Sequence, residues 1–339
     1  MIELAALAGG AAVGVSLALA GFGYWALVGQ SLSLQAILML VAFGRTGYRP
    51  TRPSIDQGTK KMLRFGGYLA AYGIVNYFAR NLDNVLIGRV WGAEQLGYYS
   101  RAYFLVMLPA TLSTGSLMGV MVPSLSTLSF DHKRMADAYR KALAAVAASG
   151  CPLSVGLAVT APEAVRLVYG PKWAPVVPLL VWLSIAGVLQ PLHNTMGWLF
   201  VVSGKSREMF SWGLVATAVL AAGFFIGITR GPLGVAVAYG LTMGVLAVPA
   251  LYYAHRVAGV DFRTTLQTIA PFLTAAMIMG LSVVAIGHVL VMVRIHWLTI
   301  LALKLTIGVA VYVIVCRRPL MSLLRDVVGL KANAQLSHT

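Results

Sequence analysis

Apolar residues fall along this chain in blocks of about twenty, separated by short polar punctuation, and that spacing predicts the elements. Ten blocks can be drawn, roughly 3–21, 24–43, 65–88, 97–126, 139–160, 174–202, 209–228, 233–253, 266–287 and 296–316. A block of that length wound as a helix spans about 30 Å of hydrocarbon. The alternating ten-residue segments of a transmembrane β-barrel do not fit the pattern. The expectation is an all-α, polytopic transmembrane helical bundle of about ten spans. The first two blocks are joined by Gly21-Phe22-Gly23-Tyr24-Trp25 without a charge, which predicts a tight hairpin.

The punctuation also divides the chain. Residues 45–64 are rich in Gly, Pro and Arg and predict an extended, basic cytoplasmic linker. Before it lies a two-helix piece, 1–44, and after it an eight-helix piece, 65–318. Residues 319–339 are expected to form a cytoplasmic tail, whose polar end LKANAQLSHT (330–339) is expected to be disordered. The opening lacks a positively charged n-region, so the first block predicts a helix that is retained. Gly115–Gly119 and Gly240–Gly244 each space two glycines four apart, which predicts close helix packing.

Composition sharpens the class. Of 339 residues, 59% are hydrophobic and 11% charged, with mean hydropathy +0.80. Soluble domains carry about a quarter charged residues, and a soluble core of this length could not hide so much apolar surface. The net charge of +16 invites a nucleic-acid reading, but its distribution argues otherwise. Of the 26 Lys and Arg, 18 lie at alternate ends of the blocks, in 45–64, 131–141, 205–207, 256–263 and the tail. Six lie at the opposite ends. The positive-inside rule then places both termini and the basic loops in the cytoplasm, against anionic headgroups of membrane lipids. Nucleic acid is not an expected partner. Cys151 and Cys316 are far apart and read as small buried apolar residues.

Charge inside the blocks is the candidate chemistry. Tyr72, Asn76, Arg80, Asp83 and Ile87 recur at steps of four, four, three and four, one face of a helix. Arg80 and Asp83 are spaced to pair. A charge at mid-bilayer costs about 2.5–3.5 kcal/mol on insertion scales, so this face should meet protein or water. Two readings stand: an internal salt bridge that locks two helices, or the wall of a polar cavity. Gln190, His193 and Asn194 form a second polar face. Pro191 beside them leaves the Gly187 carbonyl without its helical donor. His193 is either a hydrogen-bonded helix contact or a proton carrier. Arg101 stands near the start of its block, and Lys304, about seven residues into the last, is either an interfacial anchor or a cavity residue.

No catalytic set emerges. The longest loop is about twenty residues, HExxH and GxSxG do not occur, and Ser203-Gly204-Lys205-Ser206 has Leu199 where a P-loop needs glycine. Neither a cofactor nor a metal is expected, and the chain reads as a pathway, not an enzyme.

Four stretches carry a family resemblance: GFGYWALVGQSL (21–32), NLDNVLIGRVWGAEQLGYYSRAYFLVMLP (81–109), VPSLSTLS (122–129) and VYGPKW (168–173). They resemble the bacterial polysaccharide transporters. These are the exopolysaccharide and O-antigen flippases of the multidrug/oligosaccharidyl-lipid/polysaccharide exporter superfamily. The resemblance runs from about residue 1 to about 320. It implies two helical lobes around a cavity that opens alternately to each side of the inner (cytoplasmic) membrane. The cargo implied is an oligosaccharide repeat unit on undecaprenyl pyrophosphate, for exopolysaccharide, O-antigen or capsule export. Partners implied are that lipid-linked oligosaccharide, a glycan polymerase and export machinery, with a coupling ion. Members carry about four further helices before the point matching residue 1. The chain is therefore expected to hold a partial first lobe, 1–44, and a complete second lobe, 65–318.

Combined with the spacing, the substrate path is expected at Tyr72, Asn76, Arg80, Asp83, Arg101, Gln190 and Asn194, with Asp83 and His193 as candidates for ion coupling. Three other readings remain: a drug exporter of the same superfamily, a membrane glycan polymerase or ligase, and a truncated, non-transporting scaffold. An exporter of cations would favour acidic residues at depth, and a polymerase a large outer loop.

Overall fold

The computed structural model describes residues 2–46, 56–128, 130–292, 295–323 and 325. The side chains of 112–120, with the Gly115–Gly119 pair, lie outside the described set, as do residues 47–55 of the expected linker and most of the expected tail. The described chain is helical throughout: α1 Ile2–Leu19, α2 Trp25–Thr46, α3 Gln57–Thr127, α4 His132–Val159, α5 Ala161–Val168, α6 Val176–Val202, α7 Ser206–Gly227, α8 Gly231–Ala258, α9 Phe262–Met292 and α10 Trp297–Val315. It divides into two compact units, Met1–Lys60 and Lys61–Thr339.

In the first unit α1 and α2 form the hairpin the sequence predicts, turning on Gly21 and Gly23, both at positive φ. Their contact is close: a Cβ on Gly10 would lie 3.2 Å from the Gln30 carbonyl.

In the second unit the expected spans at 65–88 and 97–126 are two helical arms that meet at a kink, labelled together as α3. The break between them is a single residue, Gly92, at φ 84° and ψ 176°, a region essentially reserved for glycine. α3 also starts earlier than the linker reading allows. Residues 57–64 are helical, and the Asp56 carboxylate accepts the Thr59 N–H at 2.6 Å. Such a side-chain acceptor satisfies one of the helix's otherwise unpaired N–H groups. α4 begins likewise, with Asp131 accepting the Arg134 N–H at 3.1 Å. Asp261 does the same before α9, accepting from Thr264 at 2.9 Å, and hydrogen bonds from Thr264 hold its carboxyl below the usual range.

Among the described residues, six helical stretches are long and apolar enough to cross a membrane: α2, α4, α6, the joined α7–α8, α9 and α10. Ile226, Val245, Leu281 and Ile314 are all exposed, an apolar exterior suited to lipid. The protein is a multi-pass helical membrane protein.

Two apolar clusters fill the second unit. One joins α4, α6, α8, α9 and α10 around Tyr139, Leu199 and Phe272; the other joins α3, α6, α7 and α8 around Ile87, Tyr99 and Leu183. Cys151 and Cys316 are both buried and unpaired in the first. Gly240 lets α8 reach α6, since a Cβ there would lie 2.9 Å from the Trp182 carbonyl.

The proline in α6 has a matching partner. Pro191 cannot donate to the Gly187 carbonyl, and the Ser154 hydroxyl of α4 donates to it instead at 2.9 Å, with both residues buried. Between spans, α5 and a 3-10 turn at Pro171–Trp173 occupy a stretch the sequence reads as loop. α5 turns Glu163 inward, and Lys304 of α10 meets it, Nζ to Oε1, at 2.6 Å. Of the two readings, Lys304 takes the cavity one: buried in an ion pair with Glu163, it lines an apolar recess of about 600 Å³.

Candidate functional site

A polar cavity lies wholly within the second unit, walled by α3, α6, α7 and α8. The first arm of α3, residues 57–91, supplies Tyr72, Asn76, Arg80 and Asp83, and its second arm supplies Tyr103. α6 adds Gln190 and His193, α7 adds Trp212 and Thr217, and α8 adds Tyr239. The helical spacing of four, four and three aligns the α3 residues, and the fifth member, Ile87, continues the face into the apolar cluster, fully buried. Gly213 makes room on α7: a Cβ there would come within 2.7 Å of the Tyr72 ring.

Arg80 and Asp83, although spaced to pair, take different partners. Asp83 is 2% exposed. Its Oδ2 accepts the Tyr99 hydroxyl and its Oδ1 the Asn84 N–H, each at 2.8 Å. Arg80 is exposed and donates from Nη2 to Asn194 Oδ1 across to α6 at 3.4 Å. The carboxylate is therefore held by neutral donors and the guanidinium by a neutral acceptor, and neither charge cancels the other directly. A buried carboxylate with only two hydrogen-bond donors keeps capacity for a further cation or proton.

Two more groups point to a wet interior. Gln190 Oε1 and Trp212 Nε1 are buried without a partner among the described residues, and both residues line the cavity. Buried polar atoms normally find a partner, so an acceptor and a donor are left for whatever fills the space. That space is small, about 60 Å³, enough for a few waters or an ion and far too small for a sugar chain. Cargo of that size would require the walls to part.

Of the residues expected on the path, Tyr72, Asn76, Arg80, Asp83 and Gln190 meet at this cavity together with His193, and Asn194 touches it through Arg80. Arg101 does not. Its guanidinium lies 6.0 Å over the rings of both Tyr169 and Trp173, and its carbonyl accepts the Tyr169 hydroxyl at 3.2 Å. This is an aromatic cluster at the end of the bundle opposite the basic loops. The aromatic walls Tyr103, Trp212 and Tyr239 were not expected from the sequence. The four-residue step from Tyr99 to Tyr103 was a visible hint, whereas Tyr239 enters only through the packing of α8.

Fold and cavity together define a class: a multi-pass helical membrane protein whose one helical unit holds a polar cavity lined by a buried carboxylate, Asp83, and an exposed guanidinium, Arg80. Residues 1–178 match the family described as "Polysaccharide biosynthesis protein", and the chain belongs to it. It is 29% identical over 211 residues to the lipopolysaccharide biosynthesis protein WzxC of Escherichia coli (strain K12), covering 62% of this chain and 42% of that protein. It is 30% identical over 156 residues to the teichuronic acid biosynthesis protein TuaB of Bacillus subtilis (strain 168), covering 46% and 32%. The succinoglycan biosynthesis transport protein ExoT of Rhizobium meliloti (strain 1021) is 27% identical over 207 residues, covering 61% and 42%. The chain thus spans less than half the length of these curated relatives. Among solved structures, the lipid II flippase MurJ in an inward closed conformation superposes with TM-score 0.64 at 15% identity. That match covers 95% of this chain and 67% of MurJ, and shows a shared fold.

Proposed function

We propose that the chain serves to flip oligosaccharide repeat units linked to undecaprenyl pyrophosphate across the bacterial inner membrane, for exopolysaccharide, O-antigen or capsule assembly. The observation that carries the reading is the guanidinium of Arg80, which lines a polar cavity while staying exposed, on a bundle whose exterior is otherwise apolar. A lipid pyrophosphate is anionic and its glycan hydrated. Crossing hydrocarbon demands a slot that shields the headgroup while the lipid tail stays outside. Guanidinium matches phosphate geometry with paired donors. Tyr72, Asn76, Gln190 and Asn194 offer hydrogen bonds to sugar hydroxyls once the helices separate. Asp83 and His193 are the groups through which a proton or metal cation would drive the cycle. Family membership, the transport role of the relative ExoT and the fold shared with the flippase MurJ support the reading.

In this reading the basic loops and both termini face the cytoplasm, and a glycan polymerase and export machinery receive the flipped unit. The action is transport rather than catalysis. The test is export of lipid-linked glycan in cells lacking their own flippase, with Arg80→Ala at matched protein level. We expect a fall of about tenfold, near the 1.4 kcal/mol that one charge-assisted contact supplies. Arg80→Lys should retain more flux than Arg80→Ala. Undiminished export by Arg80→Ala would remove the cationic slot.

A further inference from the structure

A second recess, of about 260 Å³, lies at the end of the bundle opposite the basic loops, separate from the central cavity. It is lined by Trp91 and Tyr98 of α3, Gln95 between them, Pro175 and Pro178 at the start of α6, and Arg230 at the α7–α8 turn. Its key ring is fixed in place. The Trp91 indole N–H donates to the Ile228 carbonyl at 2.9 Å. Its six-membered ring lies over Gly231, where an added Cβ would come 3.7 Å from it. Trp91 nevertheless remains 44% exposed as a residue. Tyr98 is fixed as well, donating to Glu94 Oε1 at 2.9 Å and meeting Trp173 edge-on.

Tryptophans at a membrane rim commonly anchor in the headgroup layer, apolar body inward and N–H toward water. Trp91 departs from that use, because its N–H is already taken by backbone and its ring borders a concave site holding an amide and a guanidinium. A held aromatic face beside converging polar groups is what a pyranose ring needs. The C–H face of the sugar lies on the indole, and its hydroxyls meet Gln95, which can both donate and accept. Arg230 forms no ion pair among the described residues, and its planar fork suits a sugar carboxylate.

We propose that this recess is a saccharide-binding site with a preference for acidic sugars. Under the transport reading, on which this rests, it receives the glycan on the outer side and keeps the flipped headgroup from falling back. Binding would be measured on the full chain in lipid nanodiscs with two soluble probes, trigalacturonate and maltotriose. We expect trigalacturonate to bind more tightly, Arg230→Ala to erase that difference, and Trp91→Ala to weaken both probes at least fivefold. Trp91→Phe keeps a ring and should bind within about twofold of the parent, which guards against misfolding of the alanine variant. Trp297, the ring under Arg166 at 4.7 Å, is the control: Trp297→Ala should change neither affinity. Failure of the parent chain to bind either probe at millimolar concentration overturns the site, as does equal loss from Trp91→Ala and Trp297→Ala. A chain that restores glycan export yet ignores both probes loses this site and keeps the transport reading. One that binds through Trp91 but restores no export does the reverse.

Discussion

At the scale of single residues, the deepest charges in the second unit are held in two different ways. Asp83 is held by hydrogen bonds from a tyrosine and a backbone N–H, whereas Glu163 is held by the opposite charge of Lys304. The second arrangement gives a sharp prediction. Removing one member of a buried pair leaves the other uncompensated, at about 3–5 kcal/mol, while replacing both by neutral groups is near-neutral. Lys304→Met should therefore lower the unfolding temperature in detergent well below that of the parent, and adding Glu163→Gln should restore most of it. A double variant no more stable than the single would show that the loss does not come from an uncompensated Glu163 carboxylate. The sequence made Asp83 visible because its neighbours recur on one helical face. Glu163 stayed hidden, since its partner lies 141 residues away and no local spacing connects them. For the same reason Arg101 looked like a path residue: its charge is legible, but the rings of Tyr169 and Trp173 that claim it come from another element.

At the scale of elements, the apolar blocks located the long helices, because span length follows directly from membrane thickness. What they could not show is how neighbouring blocks join. Residues 89–96 read as a connector, and the two arms of α3 do part within them, but at a single kinked glycine, Gly92, instead of across a loop. α5 was missed because eight residues are too few to register as a period. Gly92 is the testable point. An L-residue at φ 84° and ψ 176° costs of order 1–3 kcal/mol, so Gly92→Ala should lower stability by about that amount. It should also reset the angle between the arms, reducing export beyond what the stability loss explains. Thermal unfolding and export assays on the same preparations separate the two effects; full export by a destabilised Gly92→Ala would dismiss any role for the bend in transport. Pro191 shows the opposite case, where the sequence exposed a broken hydrogen bond but not that Ser154 repairs it.

At the scale of the whole molecule, the charge asymmetry makes a prediction about sidedness. With Cys151 and Cys316 replaced by alanine, a lone cysteine at Lys133→Cys, in the loop before α4, should react with a membrane-impermeant maleimide only after the cells are opened. Lys172→Cys, at the opposite end of the helices, should react in intact cells. Both positions are exposed. The reverse labelling pattern would invert the orientation that the basic loops imply. One feature of α3 bears on how such a molecule would open. Trp91 is tied to the Ile228 carbonyl and stands next to the only residue of that helix out of helical geometry, Gly92. The arm 57–91 is thus a lever about 50 Å long at 1.5 Å per residue, pegged at one tip. A tilt of about 10° around that peg would shift Arg80, some 17 Å along, by roughly 3 Å, and swing the far tip by about 9 Å. The fulcrum would barely stir while the distant end sweeps widely.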